Sequence, residues 1–225
     1  MKYVTEFIGT FFLVLTIGLV IASGSTFAPL AIGSALMIMV YAGGHVSGAH
    51  YNPAVTLAVW MRGKIPASDV APYMLSQLIG AIAAAFVSYI ITGATFAPAP
   101  GASVSVGVAL LVEALFTFAL ALVVLNVATS RKTEGNSFYG LAIGFTVVVG
   151  AFAGGGISGG AFNPAVGVGP AIINTLMGHG SLAQIWLYLV GPFAGAAAAA
   201  LVFRAQNPED NEEAIPAPPA KEVLR

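Results

Sequence analysis

The sequence contains no cysteine and very little charge. Without cysteine among its 225 residues, the chain can form no disulfide, no thiolate metal site and no cysteine nucleophile. Charged residues make up 8% of the chain, and histidine occurs only three times. Basic residues that are so few and so dispersed do not form a nucleic-acid-binding patch. We therefore expect no nucleic-acid partner, no bound metal and no other cofactor.

Apolar residues, by contrast, make up 58% of the chain, and its mean hydropathy is +0.91. A water-soluble core of this size cannot bury so much apolar surface. Six apolar runs approach the roughly 20 residues that cross a bilayer core of about 30 Å: 3–23, 28–45, 70–93, 104–128, 138–153 and 182–203. The first run contains Glu6 and lacks a convincing cleavage site, so we expect it to remain as a span. The pattern predicts an all-α membrane protein that contacts the lipid bilayer.

The basic residues predict how the chain lies in the membrane. If the N-terminus is inside, the cytoplasmic segments are the two termini and the connections after spans 2 and 4. All Lys and Arg fall in these segments: Lys2, Arg62, Lys64, Arg131, Lys132, Arg204, Lys221 and Arg225. The outside connections contain none, as the positive-inside rule requires. We predict a multi-pass protein of the cell membrane, inner or plasma membrane, with both termini cytoplasmic.

The chain is an internal duplication. Asn-Pro-Ala-Val at 52–55 recurs 111 residues later at 163–166, and the same shift pairs LAIG at 30–33 with LAIG at 141–144. A slightly shorter shift pairs Glu6 in EFIGT with Glu113 in EALFT. The halves, about 1–100 and 104–205, each have three spans, so the second half must be inverted in the membrane. We predict one channel domain over 1–205 and a disordered cytoplasmic tail over the acidic, Pro-rich residues 206–225.

A short apolar segment follows each Asn-Pro-Ala motif. Residues 55–61 and 166–177 are apolar enough for the membrane but too short to cross it. Asn is a preferred helix N-cap and Pro suits the first helical position, so each motif predicts the start of a re-entrant half-helix. Such irregular backbone is tolerated at this depth only inside protein or beside a wet cavity.

The two motifs together predict the central constriction of a pore. Its residues are Asn52, Pro53, Ala54, Asn163, Pro164 and Ala165. The positive ends of two half-helix dipoles and two asparagine side chains would meet near the midplane. This arrangement can hold water or a small solute with an oxygen acceptor, and it opposes cations and proton hopping.

These motifs resemble the aquaporin and aquaglyceroporin family, the major intrinsic proteins. The resemblance rests on SGAHYNPAVT at 47–56, SGGAFNPAV at 158–166, the Gly-Pro pair at 169–170 and the glutamates of spans 1 and 4, and it extends to about residue 205. It implies six transmembrane helices plus two re-entrant half-helices in an inverted repeat. It also implies a passive channel for water and small neutral solutes, not an enzyme, and a homotetramer in which each subunit has its own pore.

The resemblance further implies an outer selectivity filter of four residues: Ile32, Ala151, Gly160 and Val166. Most members of the family have arginine at the last position, whereas this atypical, bacterial-type chain has valine, which supplies neither charge nor donors. Water-selective members have histidine where this chain has Ala151, and glycerol-selective members have aspartate where it has Gly167. The chain fits neither subclass. A wide apolar filter predicts passage of glycerol, urea, undissociated organic acids and metalloid acids such as arsenous acid.

Three alternatives remain open at this stage. Intramembrane acids are functional candidates, so Glu6 and Glu113 could drive a coupled secondary transporter, although their matched positions favour a structural role. The pore could also serve mainly water. Finally, Ser47 with nearby histidines could indicate a membrane hydrolase, but no acid or third metal ligand accompanies them, and we instead expect His50 to line the cytoplasmic vestibule.

Overall fold

The computed structural model describes residues 1–210, and within them all regular secondary structure is helical, with no strand. Eight α-helices follow in order: α1 Lys2–Ala22, α2 Ala28–Ser47, α3 Pro53–Met61, α4 Ala67–Thr92, α5 Val106–Thr129, α6 Tyr139–Ser158, α7 Pro164–Leu176 and α8 Ile185–Gln206. Six of them, all except α3 and α7, are long and apolar enough to cross a membrane. The six predicted spans and the two short helices are confirmed.

The fifth predicted span is longer than its apolar run suggested. We expected an end near residue 153, but α6 continues to Ser158 through three consecutive glycines, 154–156. Glycine disfavours helix in water. Inside a bilayer, however, every backbone N–H and C=O must be bonded, which favours continuing the helix.

Each half of the chain packs its short helix against the other half. In each half the first and last long helices lie against each other, α1 on α4 and α5 on α8. Each short helix also packs on the last helix of the other half, α3 on α8 and α7 on α4. Since the two short helices belong to opposite halves, this exchange brings their N-termini together at the centre of the molecule.

The repeated LAIG segments lie where α2 and α6 cross. A Cβ added to Gly33 would lie 2.5 Å from Gly144 O, and one added to Gly144 would lie 2.5 Å from Gly33 O. Only glycine permits this approach, as at other small-residue helix contacts in membranes. The repeat of LAIG therefore reflects one shared backbone contact between the halves.

The surface of the spans is apolar. Only 28–44% of the most apolar window of each span is buried, and Ile38, Ile90 and Phe152 are among the large side chains exposed. A soluble monomer does not expose so much apolar surface. These faces suit lipid or other membrane subunits.

Six spans place Lys2 and Gln206 on one face, here called the terminal face; the other is called the opposite face. Residues 206–210 of the predicted disordered tail are ordered there, because Gln206 completes α8 and Pro208–Asp210 form a 3-10 turn. The carboxylate of Asp210, which is fully buried, lies 3.9 Å from both the Arg62 and the Arg131 guanidinium groups. The rest of that predicted tail, 211–225, lies outside the described residues.

Candidate functional site

The two short helices begin at the paired motifs. Asn52 and Asn163 are the N-caps of α3 and α7, and each has an extended backbone. The side-chain oxygen of Asn52 accepts a hydrogen bond from Ala54 N at 2.8 Å, and that of Asn163 accepts one from Ala165 N at 2.9 Å. Pro53 and Pro164 occupy the first helical position, where the missing N–H costs nothing.

Each asparagine also bonds to the other half of the molecule. Nδ2 of Asn52 donates to Phe162 O, and Nδ2 of Asn163 donates to Tyr51 O, both at 2.9 Å. An amide has two N–H donors, so each side chain keeps one for another partner. Both asparagines line the same cavity, and the positive ends of α3 and α7 point toward this position. The site can therefore hold an oxygen acceptor and disfavours a cation.

Glu6 holds the non-helical backbone that precedes Asn52. Its Oε1 accepts from Ser47 Oγ at 2.6 Å and from His50 N at 3.0 Å, and its Oε2 accepts from Tyr51 N and Gln77 Nε2, both at 2.7 Å. Tyr51 has φ +50°, a left-handed conformation that costs free energy in a bulky residue. The carboxylate compensates for that strain by bonding the strained segment directly.

Glu113 does the same in the second half. It accepts from Ser158 Oγ at 2.7 Å, from Ala161 N at 3.0 Å and from Phe162 N at 2.7 Å. Phe162 has φ +49°, matching Tyr51 of the first half. Both glutamates are fully buried. They thus occupy equivalent places, and each supports the strained segment before an asparagine.

Two tyrosines complete the support, and sequence analysis missed both. The hydroxyl of Tyr73 donates to Ser47 O at 2.8 Å, and that of Tyr188 donates to Ser158 O at 2.7 Å. They bond the last carbonyls of α2 and α6, which have no partner within the helix. They escaped notice because they are 115 residues apart rather than 111, so the shift that pairs the asparagines misaligns them.

A polar network found only in the first half was also missed. Gln77 Nε2 donates to Thr56 Oγ1 at 2.9 Å as well as to Glu6, and Thr56 Oγ1 lies 3.1 Å from His50 Nδ1. The signal in the sequence was Gln77 itself, a polar residue inside an apolar span, but its partners Thr56 and His50 could not be read from it. The second half has Ala161 in place of His50, so the pore surroundings are more polar on the α3 side.

A cavity of about 360 Å³ extends from the asparagines toward the opposite face. All four predicted filter residues line it: Ile32, Ala151, Gly160 and Val166. Among the described residues that line it, none is charged, and the only hydrogen-bonding side chains are His50, Asn52 and Asn163. Between the asparagines and the opposite face, the cavity wall therefore consists of apolar side chains and backbone atoms.

A second cavity of about 830 Å³ opens at the terminal face. It is more polar, and its lining includes the ion pair of Lys2 with Asp69. His50, Val124 and Ile143 line both cavities, so the two cavities adjoin at these residues. Together they form a path along the centre of the molecule.

The groups considered for a hydrolase are bonded to other partners. Ser47 Oγ donates to Glu6 rather than to a histidine, and the Nδ1 of His50 lies against Thr56. Within residues 1–210, no group of three or more His, Cys, Asp and Glu side chains is placed to hold a metal ion. The described structure thus supplies no serine-histidine pair.

Comparison with known proteins gives a consistent result. Residues 1–203 match the family model for the major intrinsic proteins. The glycerol uptake facilitator protein-like 6 of Lactiplantibacillus plantarum is 40% identical over 93% of this chain and 99% of that protein. Aquaporin AqpM of Methanothermobacter thermautotrophicus is 36% identical over 90% of this chain and 96% of that protein.

A solved structure shares the fold. The X-ray structure of the aquaglyceroporin from Plasmodium falciparum superimposes with a TM-score of 0.84, covering 93% of this chain and 98% of that chain. The sequence identity is 22%, so this similarity concerns the arrangement of helices and half-helices and not the solute.

Proposed function

Because this chain belongs to the major intrinsic protein family, whose members are membrane channels for water and small solutes and not enzymes, we propose that it is a passive pore with an unusually wide outer filter. The proposed solutes are water, glycerol, urea, undissociated organic acids and metalloid acids such as arsenous acid. The observation that supports this choice is the position of Val166. It lies in the wall of a cavity, and none of the described residues that line this cavity is charged.

The four filter positions offer little steric or electrostatic discrimination. Ala151 and Gly160 contribute almost no side chain, while Ile32 and Val166 contribute only hydrocarbon. An ion in this ring would lose hydration without gaining a partner, which costs several kcal/mol or more. An uncharged solute loses much less, and its oxygens can then bond to the free N–H groups of Asn52 and Asn163.

Exclusion of cations and protons rests on the centre of the pore in this proposal. The positive ends of α3 and α7 and the donor groups of Asn52 and Asn163 meet there, and each raises the free energy of a cation. An arginine at position 166 would have added a second positive barrier. His50 borders the vestibule on the α3 side.

Orientation and assembly are part of the proposal. All described Lys and Arg residues lie at the terminal face, so we place that face in the cytoplasm of the cell and both termini with it. The exposed apolar faces of the spans are compatible with a homotetramer, in which each subunit has its own pore. The channel domain is residues 1–205.

A coupled transporter has less support. Proton coupling through Glu6 or Glu113 requires a carboxylate that can exchange a proton with the pore. Both carboxylates are fully buried, and each already accepts at least three hydrogen bonds from the non-helical segments and their neighbours. These contacts favour a structural role for the two acids.

The test is stopped-flow light scattering on proteoliposomes, with water, glycerol, urea and arsenous acid as solutes. For wild type we expect linear, uncoupled flux of all four. Val166→Arg should reduce flux of the larger solutes about tenfold or more, as expected when a pocket loses room for a few atoms, and should reduce water flux much less. Val4→Arg, on the exposed start of α1, is the matched control and should leave the ratios unchanged.

Three results would contradict the proposal. Water flux alone in the wild type would indicate a pore that serves mainly water. Equal slowing of water and solutes by Val166→Arg would mean that position 166 does not determine size selection. Saturable flux driven by a proton gradient would support the transporter instead.

A further inference from the structure

The side chain of Gln77 lies between Glu6 and Thr56. Its Nε2 is 2.7 Å from Glu6 Oε2 and 2.9 Å from Thr56 Oγ1, and all three side chains are fully buried. Glu6 Oε2 also accepts a hydrogen bond from Tyr51 N, so it acts as an acceptor and Gln77 meets it with an N–H group rather than with its carbonyl oxygen. The amide nitrogen of Gln77 therefore faces both partners, and both of its N–H groups are used.

The hydroxyl of Thr56 has three polar neighbours and a single hydrogen. Gln77 Nε2 donates to it at 2.9 Å, while Asn52 O and His50 Nδ1 each lie 3.1 Å away. A carbonyl oxygen only accepts, so the contact with Asn52 O is attractive only when the hydroxyl hydrogen points there. Thr56 then has no hydrogen left for His50, and the Nδ1–H of His50 donates to Thr56 Oγ1.

A proton on Nδ1 leaves the other ring nitrogen of His50 as an acceptor, because a neutral imidazole carries one N–H. Within residues 1–210, Nε2 has no hydrogen-bond partner, and it is not one of the buried atoms there that lack one, so it retains accessible surface. The ring of His50 packs 5.0 Å from that of Tyr73, centroid to centroid, and lines both cavities. Nε2 is thus an acceptor where the two cavities adjoin.

From this network we infer that Gln77 and Thr56 are positioning residues that make His50 Nε2 a binding site for solute O–H groups. This role rests on the proposed function and adds a chemical preference to it. Asn52 and Asn163 offer N–H donors to solute oxygens, whereas Nε2 binds a solute hydrogen. A hydroxyl group satisfies both kinds of partner, but a solute that only accepts leaves Nε2 unpaired. The preferred solutes are therefore alcohols and undissociated oxyacids.

The position of the proton can be measured by ¹⁵N NMR of the full chain with labelled histidine in lipid nanodiscs, at about pH 8, where imidazole is neutral. Subtracting the spectrum of His50→Gln separates the His50 signals from those of His45 and His179. Wild type should carry the proton on Nδ1. Thr56→Val removes the acceptor and should move the proton to Nε2, whereas Thr56→Ser keeps the hydroxyl and should leave it on Nδ1.

Proteoliposome flux tests the preference itself. Ethylene glycol has hydroxyl groups, whereas dimethyl sulfoxide has the same number of non-hydrogen atoms and only accepts. After leakage through protein-free liposomes is subtracted, wild type should favour ethylene glycol about tenfold, the effect of one hydrogen bond. Thr56→Val should remove most of this preference, and Thr56→Ser should retain it. Thr16→Val is the matched control, because Thr16 also bonds the carbonyl four residues before it but lies outside the residues that line either cavity.

A purely structural defect would lower both fluxes and leave their ratio unchanged. A proton on Nε2 in the wild type, or equal wild-type flux of the two solutes, would overturn the inference. So would an unchanged flux ratio in Thr56→Val after the proton has moved. If Thr56→Val does not fold, the wild-type spectrum and the wild-type ratio decide. Wild-type proteoliposomes that pass no ethylene glycol would contradict the proposed function, while the spectrum would still test the place of the proton.

Discussion

Glu6 and Glu113 are acidic residues inside membrane spans whose contacts indicate a structural role. A carboxylate is an acceptor at both oxygens, and the segment before each asparagine directs backbone N–H donors at it. No other side chain of similar length presents two acceptors. The requirement for an acid at these positions follows from the backbone conformation.

Glu113→Gln should therefore destabilise the protein without changing its mode of transport. The amide NH₂ would replace an oxygen that now accepts from Ser158, Ala161 or Phe162. A buried donor left unpaired costs about 1–3 kcal/mol. Thermal unfolding in detergent measures the loss, and Glu134→Gln in an exposed turn is the control. Flux that stays linear per folded molecule agrees with a structural role; loss of gradient-driven uptake with intact stability would not.

At the scale of the element, the close contact of α2 with α6 depends on two glycines. Gly144→Ala should destabilise the fold, because its Cβ would lie 2.5 Å from Gly33 O and 2.6 Å from Met37 Cβ. Over-packing of this kind costs about 1–3 kcal/mol. The midpoint of thermal unfolding is the measurement.

Gly107→Ala in α5 is the control for Gly144→Ala, because it makes the same substitution at a helical glycine without a close neighbour. No atom lies within 4 Å of a Cβ added there, and alanine favours helix over glycine by up to about 1 kcal/mol. We expect the midpoint to stay or rise. Equal destabilisation by both substitutions would show that the helix contact is not the cause.

Much of the element arrangement could be predicted from the sequence. The hydropathy pattern predicted the six spans, and the Asn-Pro pairs predicted the start of each half-helix. Both predictions were possible because each depends only on residues close together in the sequence. The bonds of Tyr73 and Tyr188 and the contacts of Gln77 could not be predicted, since they depend on helix packing between distant parts of the chain. The proposal that Val166 is a filter residue required the family resemblance as well as the repeat.

At the scale of the whole molecule, the end of the described chain holds the first half-helix to the second half of the protein. Arg204 donates to Met61 O at the end of α3, and the neighbouring Arg62 is buried against the ring of Phe203. Burial by itself raises the pKa of Asp210, but a hydrogen bond from Ser130 and the charges of Arg62 and Arg131 outweigh it and hold the pKa below its usual value of 3.8.

This pKa predicts a pH dependence of stability. A carboxyl group with a lowered folded-state pKa stabilises the protein above its unfolded pKa, and that contribution is lost as pH falls through the folded value. Asp210→Asn should therefore lower the unfolding midpoint by the same amount at pH 7 and pH 5.

The difference between wild type and Asp210→Asn should shrink below about pH 4, where the wild-type carboxylate begins to take up protons. Thermal scans across this range provide the measurement. A difference that persists unchanged at pH 2.5 would mean that the ion pairs are not its source.

The exchanged packing of the half-helices also has a consequence for how the protein is made. The amide of Asn52 bonds to Phe162, and α3 packs on α8, the last helix of the described chain. While the ribosome is still producing the second half, the first re-entrant segment has neither partner. It must wait in the translocon or at the membrane surface until α8 has been synthesised, so the pore can close only after both halves have been made.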